Sequence, residues 1–183
     1  MRLIITENIT LDGVIEATGG WFDPEGGDSD SSDLLAELQT MMRSEDGLLL
    51  GRVTFESFRG YWPKQADDRT GITDHLNRVP KYVVSSTLGD PEWENTTVLS
   101  KDPIVEVRAL KEKPGRDLGV TGSIKLCHAL ITADLVDEYR LFVYPVVLGE
   151  GRRLFSDGVS SKLSLVEAKS FRSGVTLLTY RRR

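Results

Sequence analysis

Apolar runs alternate with helix-spaced apolar positions along most of the chain. Residues 2–9 form a β-prone run that the Asp12-Gly13 and Gly19-Gly20 pairs bring to an end. Residues 23–32 are rich in Gly, Asp and Ser and predict a loop. Behind a Ser31-Ser32-Asp33 cap, Leu34, Leu35, Leu38, Met41 and Met42 recur at helical spacing, and Gly47 is expected to end that helix. Residues 48–50 predict a strand, 53–58 a short helix closed by Tyr61-Trp62-Pro63, and 73–77 a second short helix. Strands follow at 82–85, 96–99 and 118–121, with a helix over 103–111. Gly122-Ser123 opens a helix running to 133, whose buried face carries Leu126, Leu130 and Ile131. A long strand is expected over 135–146. An antiparallel pair at 163–168 and 175–180 closes the chain around Arg172-Ser173-Gly174, which has turn chemistry. This alternation predicts an α/β protein with a helix-flanked sheet, organised as one domain over residues 1–183 without repeats or linkers.

Composition narrows the functional classes. A net charge of −5 over 183 residues gives no basic field for nucleic acid, and the closing Arg181-Arg182-Arg183 reads as a solvated chain end. The single cysteine, Cys127, cannot form an internal disulfide, and with two histidines it leaves almost no ligands for a zinc site. No run approaches the length of a membrane span, and residues 1–5 lack the pattern of a signal peptide. A cytoplasmic protein acting on a small molecule is expected.

The chemistry concentrates at the ends of the predicted strands. Leu48-Leu49-Leu50-Gly51-Arg52-Val53-Thr54 is a strand feeding a helix N-terminus, where free amides and the helix dipole favour an anion and Arg52 adds a positive fork. Ser85-Ser86-Thr87 and Val120-Thr121-Gly122-Ser123 end two further strands. In an open α/β sheet, ligands collect beyond the carboxyl ends of the strands, so these three segments are candidates to line one extended phosphorylated ligand. Arg52 and Thr54 would take one phosphate, Ser85 and Ser86 a second phosphate or a ribose, and the amides after Gly122 a pyrophosphate. The Gly-x-Gly-x-x-Gly fingerprint of a standard dinucleotide fold is absent.

Four segments in this order resemble the dihydrofolate reductase superfamily, and more closely its riboflavin-biosynthesis reductase branch. They are Thr10-Leu11-Asp12-Gly13-Val14-Ile15, Gly51 to Ser57, Lys81 to Thr87, and Leu135 to Tyr139 followed by Tyr144 to Phe155. The resemblance implies a dihydrofolate-reductase-like fold with a mostly parallel mixed sheet, and NADPH as cofactor. Arg52, Thr54, Ser85 and Ser86 would then surround the adenosine phosphates, with Gly51 at the turn. Thr121, Gly122, Ser123 and Ile124 would follow the pyrophosphate, and Leu11, Asp12 and Gly13 would border the nicotinamide. Trp21, Phe55 and Pro145 are implied as substrate-facing residues, and Asp12 and Asp33 as candidate catalytic carboxylates.

The chain also departs from the branch. Thr121 stands where an acidic residue usually precedes a Gly-Gly pair, and the zinc deaminase half that often accompanies such reductases has no counterpart. The expected function is an NADPH-dependent reductase of a small heterocycle, resembling 5-amino-6-(5-phosphoribosylamino)uracil reductase and forming a homodimer. The alternatives are a dihydrofolate reductase and, in another class, a non-catalytic nucleotide-binding homodimer that has kept the fold.

Overall fold

Eight strands form one sheet in the computed structural model, which describes residues 1–22 and 30–183. The loop expected at 23–32 falls mainly on residues 23–29, outside the described residues. In chain order the elements are β1 (Arg2–Thr10), α1 (Ser32–Ser44), β2 (Glu45–Gly51), α2 (Arg52–Tyr61), a 3-10 turn (Trp62–Lys64), α3 (Ile72–Arg78), β3 (Lys81–Val84), β4 (Thr96–Leu99), α4 (Pro103–Glu112), β5 (Asp117–Val120), α5 (Ile124–Thr132), β6 (Glu138–Tyr144), β7 (Leu163–Ser170) and β8 (Thr176–Arg182). The sheet order is β4-β3-β2-β5-β1-β6-β8-β7. Neighbours from β4 through to β6 pair in parallel, whereas β8 is antiparallel to both β6 and β7. This is the dihydrofolate-reductase-like arrangement expected from the chain, with its C-terminal antiparallel pair.

The two faces of the sheet follow from strand alternation. Leu3, Ile5 and Ile9 of β1, Leu49 of β2, and Leu118 and Val120 of β5 are buried against Val107 and Leu110 of α4 and Leu126, Cys127 and Leu130 of α5. On the opposite face, Leu48, Leu50 and Val83 pack with Phe55 of α2 and Leu76 of α3. There too, Phe142 and Leu177 pack with Leu34, Leu38 and Met41 of α1. Lys81 is fully buried at the start of β3, where its Nζ donates to the Leu76 and Val79 carbonyls at 2.6 and 3.0 Å and lies 4.7 Å from the Trp93 ring centroid. It satisfies carbonyls that the end of α3 leaves without helical partners. Burial pushes its pKa down to about 8.

Two boundaries differ from the sequence expectation. Gly47 does not end α1; the helix stops at Ser44, and Gly47 lies inside β2. A Cβ there would stand 3.1 Å from both Leu118 Cδ1 and Tyr82 Cε2, so the glycine answers to packing rather than to helix termination. The strand expected over 135–146 is shorter, because the chain is anchored at both ends of β6. The Asp137 carboxylate accepts from Leu3 N at 2.7 Å and Lys111 Nζ at 2.6 Å, which fixes the entry. At the exit Pro145 has no N–H to give the ladder, and Val146 N turns back to the Tyr144 carbonyl at 2.8 Å.

The base of the sheet is charged yet closed. Asp117 and Glu138 have almost no side-chain exposure and are paired with Arg2, Arg140 and Arg181. Next to them, Glu45 pairs with His75 at 2.8 Å and lies across Gly119, where a Cβ would come within 2.5 Å of Glu45 Oε1. Gly119→Ala must therefore displace a carboxylate that is only 12% exposed from its partner His75. Urea denaturation should show a loss of about 2–3 kcal/mol, the range typical of an overpacked core. A loss under ~0.5 kcal/mol, the range of neutral surface changes, would show that Glu45 yields freely.

Candidate functional site

Parallel pairing brings the C-terminal ends of β4, β3, β2, β5, β1 and β6 to one edge of the sheet. From β2 the chain departs outward through α2 on one face. From β5 it departs past β1 to β6 through α5 on the other. The boundary between β2 and β5 is thus a topological switch point, the place where open α/β sheets leave a crevice for ligands.

Hydrogen bonds tie the two departing segments together there. Gly51 N donates to Ser123 Oγ, and Ser123 N donates to Thr54 Oγ1, each at 2.9 Å. Gly122 and Ser123 both adopt left-handed backbone, at φ 58° and 52°, and a Cβ on Gly122 would meet Thr54 Cγ2 at 3.1 Å. Glycine suits that position on both counts. Thr54 and Ser123, expected to touch a ligand, use these groups to shape the turn. What the turn presents is backbone: among the described residues the amides of Ile124 and Lys125, the first two of α5, have no acceptor in the protein. Those donors and the small turn beside them fit a pyrophosphate.

The remaining expected phosphate contacts separate in the same way. Ser85 is buried, and its Oγ accepts from Thr87 N and Leu88 N at 3.2 and 2.9 Å, closing the turn after β3; Ser86 is exposed. Arg52 is exposed at the first position of α2 and bonds Glu56 one turn along at 2.9 Å. A solvent-exposed pair of this spacing is weak enough to yield to a phosphate. Thr121 and Ile124 are half-buried at the crevice.

The first loop is pinned rather than free. The Asp12 carboxylate accepts from Thr10 Oγ1 at 2.6 Å, Gly149 N at 2.9 Å and Leu148 N at 3.3 Å. The Thr10 hydroxyl and these amides hold its pKa down at about 2, so it remains an ionised strut at neutral pH and has no proton to donate. Gly13 and Val14 join Leu154 and Arg153 through backbone pairing, while Leu11 is 69% exposed at the loop tip. Asp33 lies in the first turn of α1 and accepts from Arg172 N at 3.0 Å. That backbone hydrogen bond is the main cause of its lowered pKa. Both expected catalytic carboxylates are therefore ionised and structurally engaged.

The three expected substrate-facing residues divide. Trp21 donates from Nε1 to the Glu16 carbonyl at 2.9 Å and packs edge-on to Tyr144, ring centroids 5.5 Å apart. Phe22 meets the same tyrosine at 5.7 Å, giving an aromatic group where β6 ends, and exposed Pro145 follows it. Phe55 is a correction. It is fully buried in the core under α2, with Trp93 at 5.8 Å, and no surface remains for a ligand.

Sequence reasoning passed over Glu7. It lies on β1 and points toward α5, 4% exposed, with Cys127 Sγ 3.6 Å from its Oε1. Burial raises its pKa well above the ordinary carboxylate value, opposed by the Gly122 backbone and by Cys127. Cys127 also donates to the Gly122 carbonyl at 3.2 Å, and burial keeps it a thiol. Glu7 and Cys127 thus brace the crevice turn from below. A lone acidic residue inside an apolar run was the available signal.

This fold and its switch-point crevice define a dihydrofolate-reductase-like protein, and a dihydrofolate reductase from Enterococcus faecalis complexed with NADP(H) superposes with a TM-score of 0.64 at 19% identity, covering 100% of this chain and 96% of that one. The chain belongs to the RibD C-terminal domain family, whose model matches residues 2–177. It is 36% identical over 189 residues to the uncharacterized protein YyaP of Bacillus subtilis (strain 168), covering 98% of this chain and 94% of that protein. The uncharacterized protein YwjB of the same strain is 26% identical over 174 residues, covering 92% and 91%. A protein from Shewanella sp. PV-4, provisionally assigned to riboflavin biosynthesis, superposes with a TM-score of 0.71 at 22% identity, covering 100% and 99%. A pyrimidine reductase-like protein from Corynebacterium diphtheriae gives 0.67 at 15% identity, covering 100% and 92%. No helix among the described residues is long and apolar enough to cross a membrane.

The raised pKa of Glu7 carries a sign. Below the unfolded value near 4.5 both states are protonated; as pH climbs above it toward the native value, the unfolded chain sheds its proton first and stability is lost. Each unit of upward shift is worth about 1.4 kcal/mol. Glu7→Gln should remove this loss, so its melting temperature relative to the parent protein should rise by several degrees between pH 5 and pH 8. An offset that stays constant over that window would refute a protonated Glu7.

Proposed function

We propose that the chain is an NADPH-dependent, cytoplasmic reductase of a small heterocycle, of the kind represented by 5-amino-6-(5-phosphoribosylamino)uracil reductase. The observation that carries this reading is the switch-point crevice, where the unengaged Ile124 and Lys125 amides stand beside the braced Gly122–Ser123 turn. When bound, NADPH would supply a hydride to the heterocycle. The residues of this chain hold and orient. The α5 amides face the pyrophosphate, Arg52 and Ser86 take the adenosine-side phosphates, and the pinned first loop with Leu11 shields the nicotinamide end from water. Neither Asp12 nor Asp33 has a proton to give, so the proton that balances the transferred hydride comes from solvent. The Asp33–Arg172 contact also argues against a dihydrofolate reductase, where a free carboxylate would pair with the pterin.

A thermal-shift titration with NADPH and NADH tests the cofactor. A ligand bound only by the folded state raises the melting temperature by mass action. NADPH is expected to shift it clearly and NADH little. Arg52→Ala should weaken NADPH about tenfold, the value of one charge-assisted contact, and leave NADH unchanged. No shift with either nucleotide would refute the reading. A shift with NADPH but no oxidation of it with any pyrimidine acceptor would favour the non-catalytic nucleotide-binding alternative.

We also propose a homodimer built through the outer strands. β7 is the edge of the sheet, and Leu165 is 57% exposed. Leu165 and Ala168 pair with Tyr180 and Leu178 of β8, all on the face where apolar burial is incomplete. Light scattering at micromolar concentration should give twice the chain mass, and Leu165→Lys should shift it toward the monomer. A parent protein that is already monomeric would overturn this assembly.

A further inference from the structure

The alternation of β1 places Ile4, Thr6, Asn8 and Thr10 on the face opposite Glu7. That face is covered on one side by α1, packed on Phe142 and Leu177, and on the other by α2 and α3, packed on Leu48, Leu50 and Val83. Between these helices Thr6 and Asn8 of β1 stay only partly buried, so that β5 and β1 form the floor of a cleft. Its lower end is filled by the Glu45–His75 pair lying on Gly119, the register partner of Ile4. Its upper end is floored by Thr6 and Asn8.

Both residues are left with polar groups unused. The Thr6 hydroxyl oxygen is buried and has no hydrogen-bond partner, and the Asn8 side-chain amide bonds nothing among the described residues. Burying a hydroxyl unpaired is costly, and the Asn8 amide, only partly buried, is open to a further partner. Their surroundings are flat and apolar on one flank. Asn8 is the register partner of Phe142, and Thr10 that of Tyr144, which carries the edges of Trp21 and Phe22. The charged neighbours are engaged with one another: Arg140, the partner of Thr6, bonds Glu138 and Asp117, and Asp33 bonds Arg172.

We propose that Asn8, supported by Thr6, determines substrate specificity by reading the amide edge of a neutral planar heterocycle lying against Tyr144. This deepens the reductase reading and rests on it for the substrate's role, though not for its binding. A primary amide offers a donor and an acceptor side by side, the complement of a ring carbonyl next to a ring N–H. A cationic amidine edge, as in a protonated diaminopyrimidine, calls for a free carboxylate, and those on this face are tied into ion pairs. The cleft therefore selects lactam-type rings over diaminopyrimidines.

The side-chain NH2 resonances of Asn8, identified by their loss in Asn8→Leu, report directly on this contact. Uracil and 2,4-diaminopyrimidine are titrated separately into 15N-labelled protein, with and without saturating NADPH. Uracil is expected to move the Asn8 resonances, and 2,4-diaminopyrimidine to leave them in place. Asn8→Leu should weaken uracil at least about tenfold, and the near-isosteric Thr6→Val by a smaller factor. Thr6→Val guards against a folding defect in the first variant. Uracil binding that Asn8→Leu and Thr6→Val leave unchanged, absence of uracil binding, or equal response to both rings would overturn the proposal. If uracil moves Asn8 while NADPH binds nowhere, specificity at Asn8 stands and the reductase reading falls.

Discussion

The pair of hydrogen bonds joining Gly51, Thr54 and Ser123 is the constraint on which the crevice depends. Parallel order sends α2 and α5 away from adjacent strands on opposite faces, and without a tie the two turns would be independent loops. Gly51 N to Ser123 Oγ and Ser123 N to Thr54 Oγ1 make them one unit, with a non-glycine residue held in the left-handed region. Such a conformation persists only where its surroundings over-determine it. Here they do so from above through Thr54 and from below through Glu7 and Cys127. The position of the α5 amides follows from that bracing.

Many polar side chains at the strand ends are consumed by the scaffold. Thr54, Ser85, Ser123, Asp12 and Asp33 each hold a turn or join two segments. What is left for a ligand is backbone at the start of α5, two exposed side chains at Arg52 and Ser86, and the floor of β1. This division suits the hydride transfer proposed above, in which the protein's task would be placement and exclusion of water rather than covalent chemistry.

The fold was legible in the chain because its signals are local. Apolar runs, turn glycines and capping residues set the order of elements, and the strand-end segments recur at spacings that a parallel sheet converts into one edge. The boundary errors at Gly47 and Leu135 arose where non-local contacts decide. Gly47 is small because Leu118 and Tyr82 press on it, and Asp137 is held by Leu3 and Lys111. The site was less legible for the same reason. Nothing near Phe55 in sequence shows that it faces the core. Nothing near Asp33 shows that its partner is Arg172, more than a hundred residues away.

The segment Thr6-Glu7-Asn8 is the clearest case, since three polar residues in the middle of the central strand look like a flaw in an apolar run. Strand alternation resolves it. Glu7 goes to the α5 side, where burial favours its neutral form and it supports the turn. Thr6 and Asn8 go to the α1–α2 side, where the Thr6 hydroxyl is buried without a partner and Asn8 stays only partly buried. One strand thus braces the α5 crevice with one face and floors the cleft between α1 and α2 with the other. A shift of one residue in its register would exchange the two sets, burying Asn8 against α5 and exposing Glu7 in the cleft. The register is fixed along the whole of β1 by pairing with β6 from Ile4 to Thr10, and with β5 from Arg2 to Ile5. The parallel ladder therefore does more than stabilise the sheet: it decides which chemistry each face of the central strand presents.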